Sequence, residues 1–94
     1  MEITCMLTLS TSHISKETAA RLDDPDGFSL ECWLSIYNKQ DYGWWIFVDS
    51  ANVYAEDMPD DLKACILLAD ANACEWLCLD CDGEILETLP TYDW

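Results

Sequence analysis

Apolar side chains recur at every second position along residues 2–9, with Ile3, Cys5, Leu7 and Leu9 on one side and Glu2, Thr4, Met6 and Thr8 on the other. Successive Cβ atoms of a strand point to opposite faces, so this period predicts an extended segment with one face on a core. The same alternation returns over 28–37, where Leu30, Cys32, Leu34 and Ile36 fall on one face, ahead of the apolar run 42–48. The polar run 38–41 between them predicts a β-hairpin. Helical patterning replaces the alternation twice. Ser15 is placed to cap a helix over 16–22, which Asp23-Asp24-Pro25-Asp26-Gly27 stops, because proline breaks the hydrogen-bond ladder and glycine accepts positive φ. A second helix is predicted from Pro59 or its neighbour to about residue 72. Leu62, Ile66 and Ala69 share a face there with Cys65 and Ala73, and Asp57, Asp60 and Asp61 suit its positive end.

Two further strands are predicted over 75–81 and 84–89, joined by Asp82-Gly83, a strong two-residue hairpin signal. The order is then β-α-β-β-α-β-β. It predicts an α+β fold: a mostly antiparallel sheet of about five strands with two helices packed on one face. With 94 residues, the chain suits one domain, 1–94, since two cores of half that size would not be stable. The tail 90–94 is expected to dock back through Trp94.

Six cysteines raise the question of compartment. The first residues lack a basic segment followed by a long apolar run, and no stretch of about 18 apolar residues occurs anywhere. The expected location is therefore the cytoplasm, with reduced and mostly buried thiols and no membrane span.

Candidate chemistry is sparse. Cys74, Cys78 and Cys81 have the spacing of an iron–sulfur loop, but Cys78 and Cys81 fall on a predicted strand, where odd spacing turns them apart. The pair Cys78 and Cys81 also lacks the remaining ligands of a zinc site and the neighbouring cation that would activate a thiol. Asp80, Asp82 and Glu84 resemble part of a calcium loop with its glycine too early and its distal glutamate missing, so a turn accounts for them better. His13, the single histidine, has no nucleophile motif beside it and is expected to hydrogen-bond where the first helix begins. Of Trp44 and Trp45, adjacent on a strand, one should be core and the other surface. No catalytic residue, cofactor or metal is expected.

Charge is the outlier. Nineteen acids against four Lys and Arg give a formal net charge of −15, which repels nucleic acid and anionic membranes. A globule of this length is about 30 Å across. Duplex DNA carries one charge per roughly 1.7 Å of axis, so about 15 charges match some 25 Å of duplex. The expected anionic, partner-binding surface comprises Asp23, Asp24, Asp26, Glu56, Asp57, Asp60, Asp61, Asp80, Asp82, Glu84 and Glu87. Its expected partner is a basic nucleic-acid-binding protein, met by a monomer or a dimer.

Ser10-Thr11-Ser12-His13-Ile14, Tyr42-Gly43-Trp44-Trp45, Pro59-Asp60-Asp61-Leu62, Ala73-Cys74-Glu75-Trp76, Asp80-Cys81-Asp82-Gly83 and Leu89-Pro90-Thr91-Tyr92-Asp93-Trp94 together resemble a family of short bacterial proteins of unknown function carried by phages, plasmids and integrated elements. The resemblance spans nearly the whole chain and brings no catalytic residues. It implies a setting in which small acidic proteins inhibit host defence. The resulting expectation is a non-enzymatic inhibitor of a CRISPR effector or restriction enzyme that imitates DNA. The alternative is an acidic interaction module or antitoxin-like partner neutralising a basic protein.

Overall fold

The structure, a computed structural model, describes residues 3–24, 36–39, 42–48 and 58–93. Strand β1 (Met6–Ser10) leads through a single 3₁₀ turn (Thr11–His13) to helix α1 (Lys16–Asp23). Strands β2 (Ile36–Asn38) and β3 (Gly43–Phe47), helix α2 (Asp60–Ala71) and strand β4 (Trp76–Asp80) follow. The α+β architecture is as the periodicity predicts. The predicted strand at 28–35, the connector 49–57 and Trp94 lie outside the described residues.

The sheet has the order β1-β4-β3-β2, with β1 parallel to β4 and the other two pairings antiparallel. Leu9, Trp44, Ile46, Leu77 and Leu79 point to one face and form one core with Ala19 and Leu22 of α1 and Leu62, Cys65, Ile66 and Ala69 of α2. Both helices therefore cover the same side. Leu9, Ile46, Leu62, Leu77 and Leu79 are fully buried, and each such side chain contributes about 1.5–3 kcal/mol of apolar burial.

Helix boundaries follow local chemistry. Ser15 Oγ accepts from Thr18 N–H at 3.3 Å, the expected N-cap. At the end of α2 the Ala73 N–H donates to the Asp70 carbonyl at 3.0 Å and the Cys74 N–H to the Ala69 carbonyl at 2.9 Å. This is a Schellman ending, and it puts Ala73 at φ 56, in the left-handed region that favours glycine. Ala73 is thus an exposed terminator rather than part of the apolar stripe. Ala73→Gly should stabilise the fold by about 0.5–1 kcal/mol and raise Tm by a few degrees, as calorimetry would show.

The predicted hairpin at Asp82-Gly83 does not form. Strand β4 has β1 on one edge and β3 on the other, so no edge is left for a following strand to pair with. The chain instead turns at 80–83, with Gly83 N–H donating to the Asp80 carbonyl at 2.9 Å, and crosses to the outer edge of β1. There Ser10 N–H donates to the Glu84 carbonyl at 2.9 Å, and Leu9 and Glu84 form an isolated parallel bridge. A Cβ on Gly83 would lie 2.4 Å from the Leu9 carbonyl carbon and oxygen. The glycine permits a backbone crossing, not a hairpin turn.

Candidate functional site

The opposite face of the sheet carries aromatic rings. Tyr37 and Phe47 each pack on Trp76, with ring centroids 5.9 and 5.3 Å apart. Trp45 lies on this face while Trp44 is core, which settles the expected split of the pair. Lys39 stands 5.4 Å over the Trp45 ring and pairs with Asp80. The hydrogen bond between them holds the Asp80 carboxyl below its ordinary value and raises the Lys39 amine. The contribution of Asp80 is complete above its ordinary pKa and fades as pH falls through the depressed one. That of Lys39 is complete below its ordinary pKa and fades as pH rises through the raised one.

The thiols divide by burial. Cys65 and Cys78 are buried, while Cys5 and Cys81 are exposed. Burial pushes the Cys65 thiol up to about 12 and also raises Cys78. Iodoacetamide at neutral pH should label exposed Cys5 first, and Cys81 more slowly because desolvation and the neighbouring Asp82 and Asp80 raise its thiol pKa. It should reach Cys65 and Cys78 only after unfolding, as peptide mapping would show. Cys81 lies in the turn after β4, with its ligand atom and those of Asp80 and Asp82 all within 4.8 Å of one another. Asp80 is already committed to Lys39.

His13 is buried, with Nδ1 2.8 Å from the Pro90 carbonyl and Nε2 accepting from Leu86 N–H at 3.0 Å. A carbonyl can only accept, so Nδ1 carries the proton and the tautomer is fixed. Both ring nitrogens are engaged in holding the C-terminal segment, rather than in the helix-start bonding expected from sequence. Tyr92 N–H, donating to the Ser12 carbonyl at 2.8 Å, continues the same attachment.

The acids occupy distinct situations. Ser15 N–H donates to Asp61 Oδ2 at 2.6 Å, and Thr18 Oγ1 lies 2.8 and 2.9 Å from its two oxygens. Asp61, in the first turn of α2, thus pins the start of α1. Asp23 Oδ1 accepts from Trp44 Nε1 at 3.0 Å and from Asn38 Nδ2 at 3.3 Å. Asp23, Asp61 and Asp80 therefore serve donors of the chain itself as well as contributing charge. Asp24, Asp60, Asp82, Glu84 and Glu87 are exposed. Asp26, Glu56 and Asp57 lie outside the described residues.

Two acidic stretches distant in sequence are anchored to the same short connection after β1. Glu84 is tied to Ser10 and Asp61 to Ser15, and five residues of chain reach at most about 18 Å. Residues 60–61 and 80–84 thus flank the connection that leaves β1. Beside it opens a cleft of about 750 Å³ between α1 and the start of β3. Lys16 and Asp23 line it from α1, Tyr42 and Trp44 from the sheet, and Cys81 and Tyr92 from the C-terminal part of the chain. Thr11 and Ser12 complete one wall. The sequence did not single out Tyr42, Tyr92, Thr11 or Ser12 as a site, although all four belong to the segments that carry the resemblance.

Fold and site together define an α+β domain with an open cleft lined by Tyr42, Trp44 and Tyr92 and by the single carboxylate of Asp23. The chain belongs to the family of unknown function DUF5983, whose C-terminal domain it matches over residues 6–94. Comparison with curated proteins and with solved structures gives no match. Among the described residues, no helix is long and apolar enough to cross a membrane.

Proposed function

We propose that this chain is a non-enzymatic acidic binding domain that occupies a cationic surface on another protein, most specifically the nucleic-acid site of a host defence complex of the CRISPR or restriction type. The observation that carries the reading is a net charge of −15 on 94 residues, with the 60–61 and 80–84 groups flanking one connection. Fixed carboxylates of that density repel DNA and attract the Lys/Arg lining that DNA would occupy. The aromatic sheet face supplies apolar area of the kind that slows dissociation. The engagement of both His13 nitrogens supports a role without acid–base catalysis. A dedicated basic partner, neutralised in the manner of an antitoxin, is the second form of the same reading.

Competition is the test. The purified protein should displace duplex DNA from a sensitive effector, and more weakly as salt rises. Changing Asp82, Glu84 and Glu87 together to Lys, with folding checked by circular dichroism, should weaken displacement at least about tenfold. If a panel of CRISPR and restriction effectors keeps its DNA binding and cleavage unchanged, and no basic protein co-purifies stoichiometrically, the reading fails.

A further inference from the structure

We propose that the cleft between α1 and the start of β3 receives the guanidinium group of an arginine side chain presented by a cationic partner, an inference that rests on the binding role above. The walls have the right chemistry. Tyr42 and Tyr92 are 53% and 38% exposed on these walls, while Trp44, which also lines the cleft, is largely buried in the core. Aromatic faces attract a cation through the ring quadrupole, and the flat, weakly hydrated guanidinium stacks on them better than an ammonium does.

The anionic end is already oriented. Trp44 Nε1 and Asn38 Nδ2 both donate to Oδ1 of Asp23, so the carboxylate is held before a ligand arrives and its Oδ2 can accept a guanidinium N–H. Groups fixed in advance lose little freedom on binding. Cys81, on the cleft wall, precedes the exposed Asp82, whereas Asp80 is paired with Lys39, and the net charge draws cations inward. Lys16 also lines the cleft and opposes them. With Thr11 and Ser12 it would favour an anion, yet an anion would enter against the field of the whole chain.

The probe is acetyl-Gly-Arg-Gly-amide, titrated into the full chain beside its citrulline counterpart, which keeps the shape and lacks the charge. The Trp44 indole N–H resonance reports on the cleft. The arginine peptide should shift it, with the citrulline peptide binding at least about tenfold more weakly. Asp23→Asn keeps an acceptor for Trp44 and removes the charge, and should weaken binding about fivefold or more. Tyr92→Ala, on an exposed side chain, should do likewise, whereas Lys16→Ala should strengthen binding about twofold.

Arginine-induced shifts that are indifferent to both Asp23→Asn and Tyr92→Ala would overturn the proposal. So would a Trp44 indole that responds to inorganic phosphate but not to the arginine peptide. Changing Asp82, Glu84 and Glu87 to Lys separates the two claims, since it should weaken capture of a basic protein far more than it weakens the peptide. Intact protein capture without a peptide response sinks this proposal alone. A peptide response with no effect on any basic protein sinks the wider reading alone.

Discussion

Gly43→Ala will cost the chain most of its stability. Gly43 sits at φ +151 where β3 begins, and a Cβ there would lie 1.6 Å from the Leu79 carbonyl oxygen and 2.6 Å from its carbon. Neither side has room to yield. The obstructing atoms are backbone, and they belong to β4, which is paired on both edges in the middle of the sheet. Relief would require pulling β3 away from β4 and disturbing the contact of Trp44 with Asp23 next to it. A loss of at least about 4 kcal/mol is expected, against a total of about 5–15 kcal/mol for an ordinary domain. Urea unfolding should show the transition moved to much lower denaturant or absent. Gly83→Ala, which would also meet backbone but at the outer edge of β1, should cost less. A Gly43→Ala protein unfolding at the wild-type midpoint would mean that the close approach does not exist.

His13→Ala should release the C-terminal segment. The imidazole is 1% exposed and bridges the Leu86 N–H and the Pro90 carbonyl, 73 and 77 residues away. Alanine would leave both groups without this partner and empty the buried space of the ring, beside a segment whose Leu86 and Leu89 pack against the core. The sum of two lost hydrogen bonds and the missing ring is about 3 kcal/mol. Hydrogen exchange should report it locally, with protection of the Leu86 and Tyr92 amides lost before that of β4. Equal protection in wild type and variant would show that His13 does not hold this segment.

Elements bounded by local chemistry were legible in the sequence. Ser15 capped α1 as its hydroxyl predicted, Leu62, Cys65, Ile66 and Ala69 faced the core as their spacing predicted, and Trp44 and Trp45 parted across the sheet. What escaped depended on neighbours far along the chain. The Asp82-Gly83 signal describes a chain turning back beside its own strand, and nothing local shows that β1 and β3 already occupy both edges of β4. The acids escaped for the same reason. A count of charges cannot reveal that Asp61 would meet Ser15 from 46 residues away, or Asp23 the indole of Trp44 from 21. The cleft was hidden because its walls come from four separate stretches, each with an ordinary local explanation.

The parallel pairing of β1 with β4 joins Met6 to Trp76, and this dictates an order of assembly. The β2–β3 ribbon closes over a short loop and can appear early. The first strand has to wait, its apolar side uncovered, until β4 is available to meet it. Closing so large a loop is slow, so the folding chain passes through an interval in which an unmatched strand is exposed. During that interval the dense negative charge matters, because mutual repulsion keeps half-finished copies from joining strand to strand.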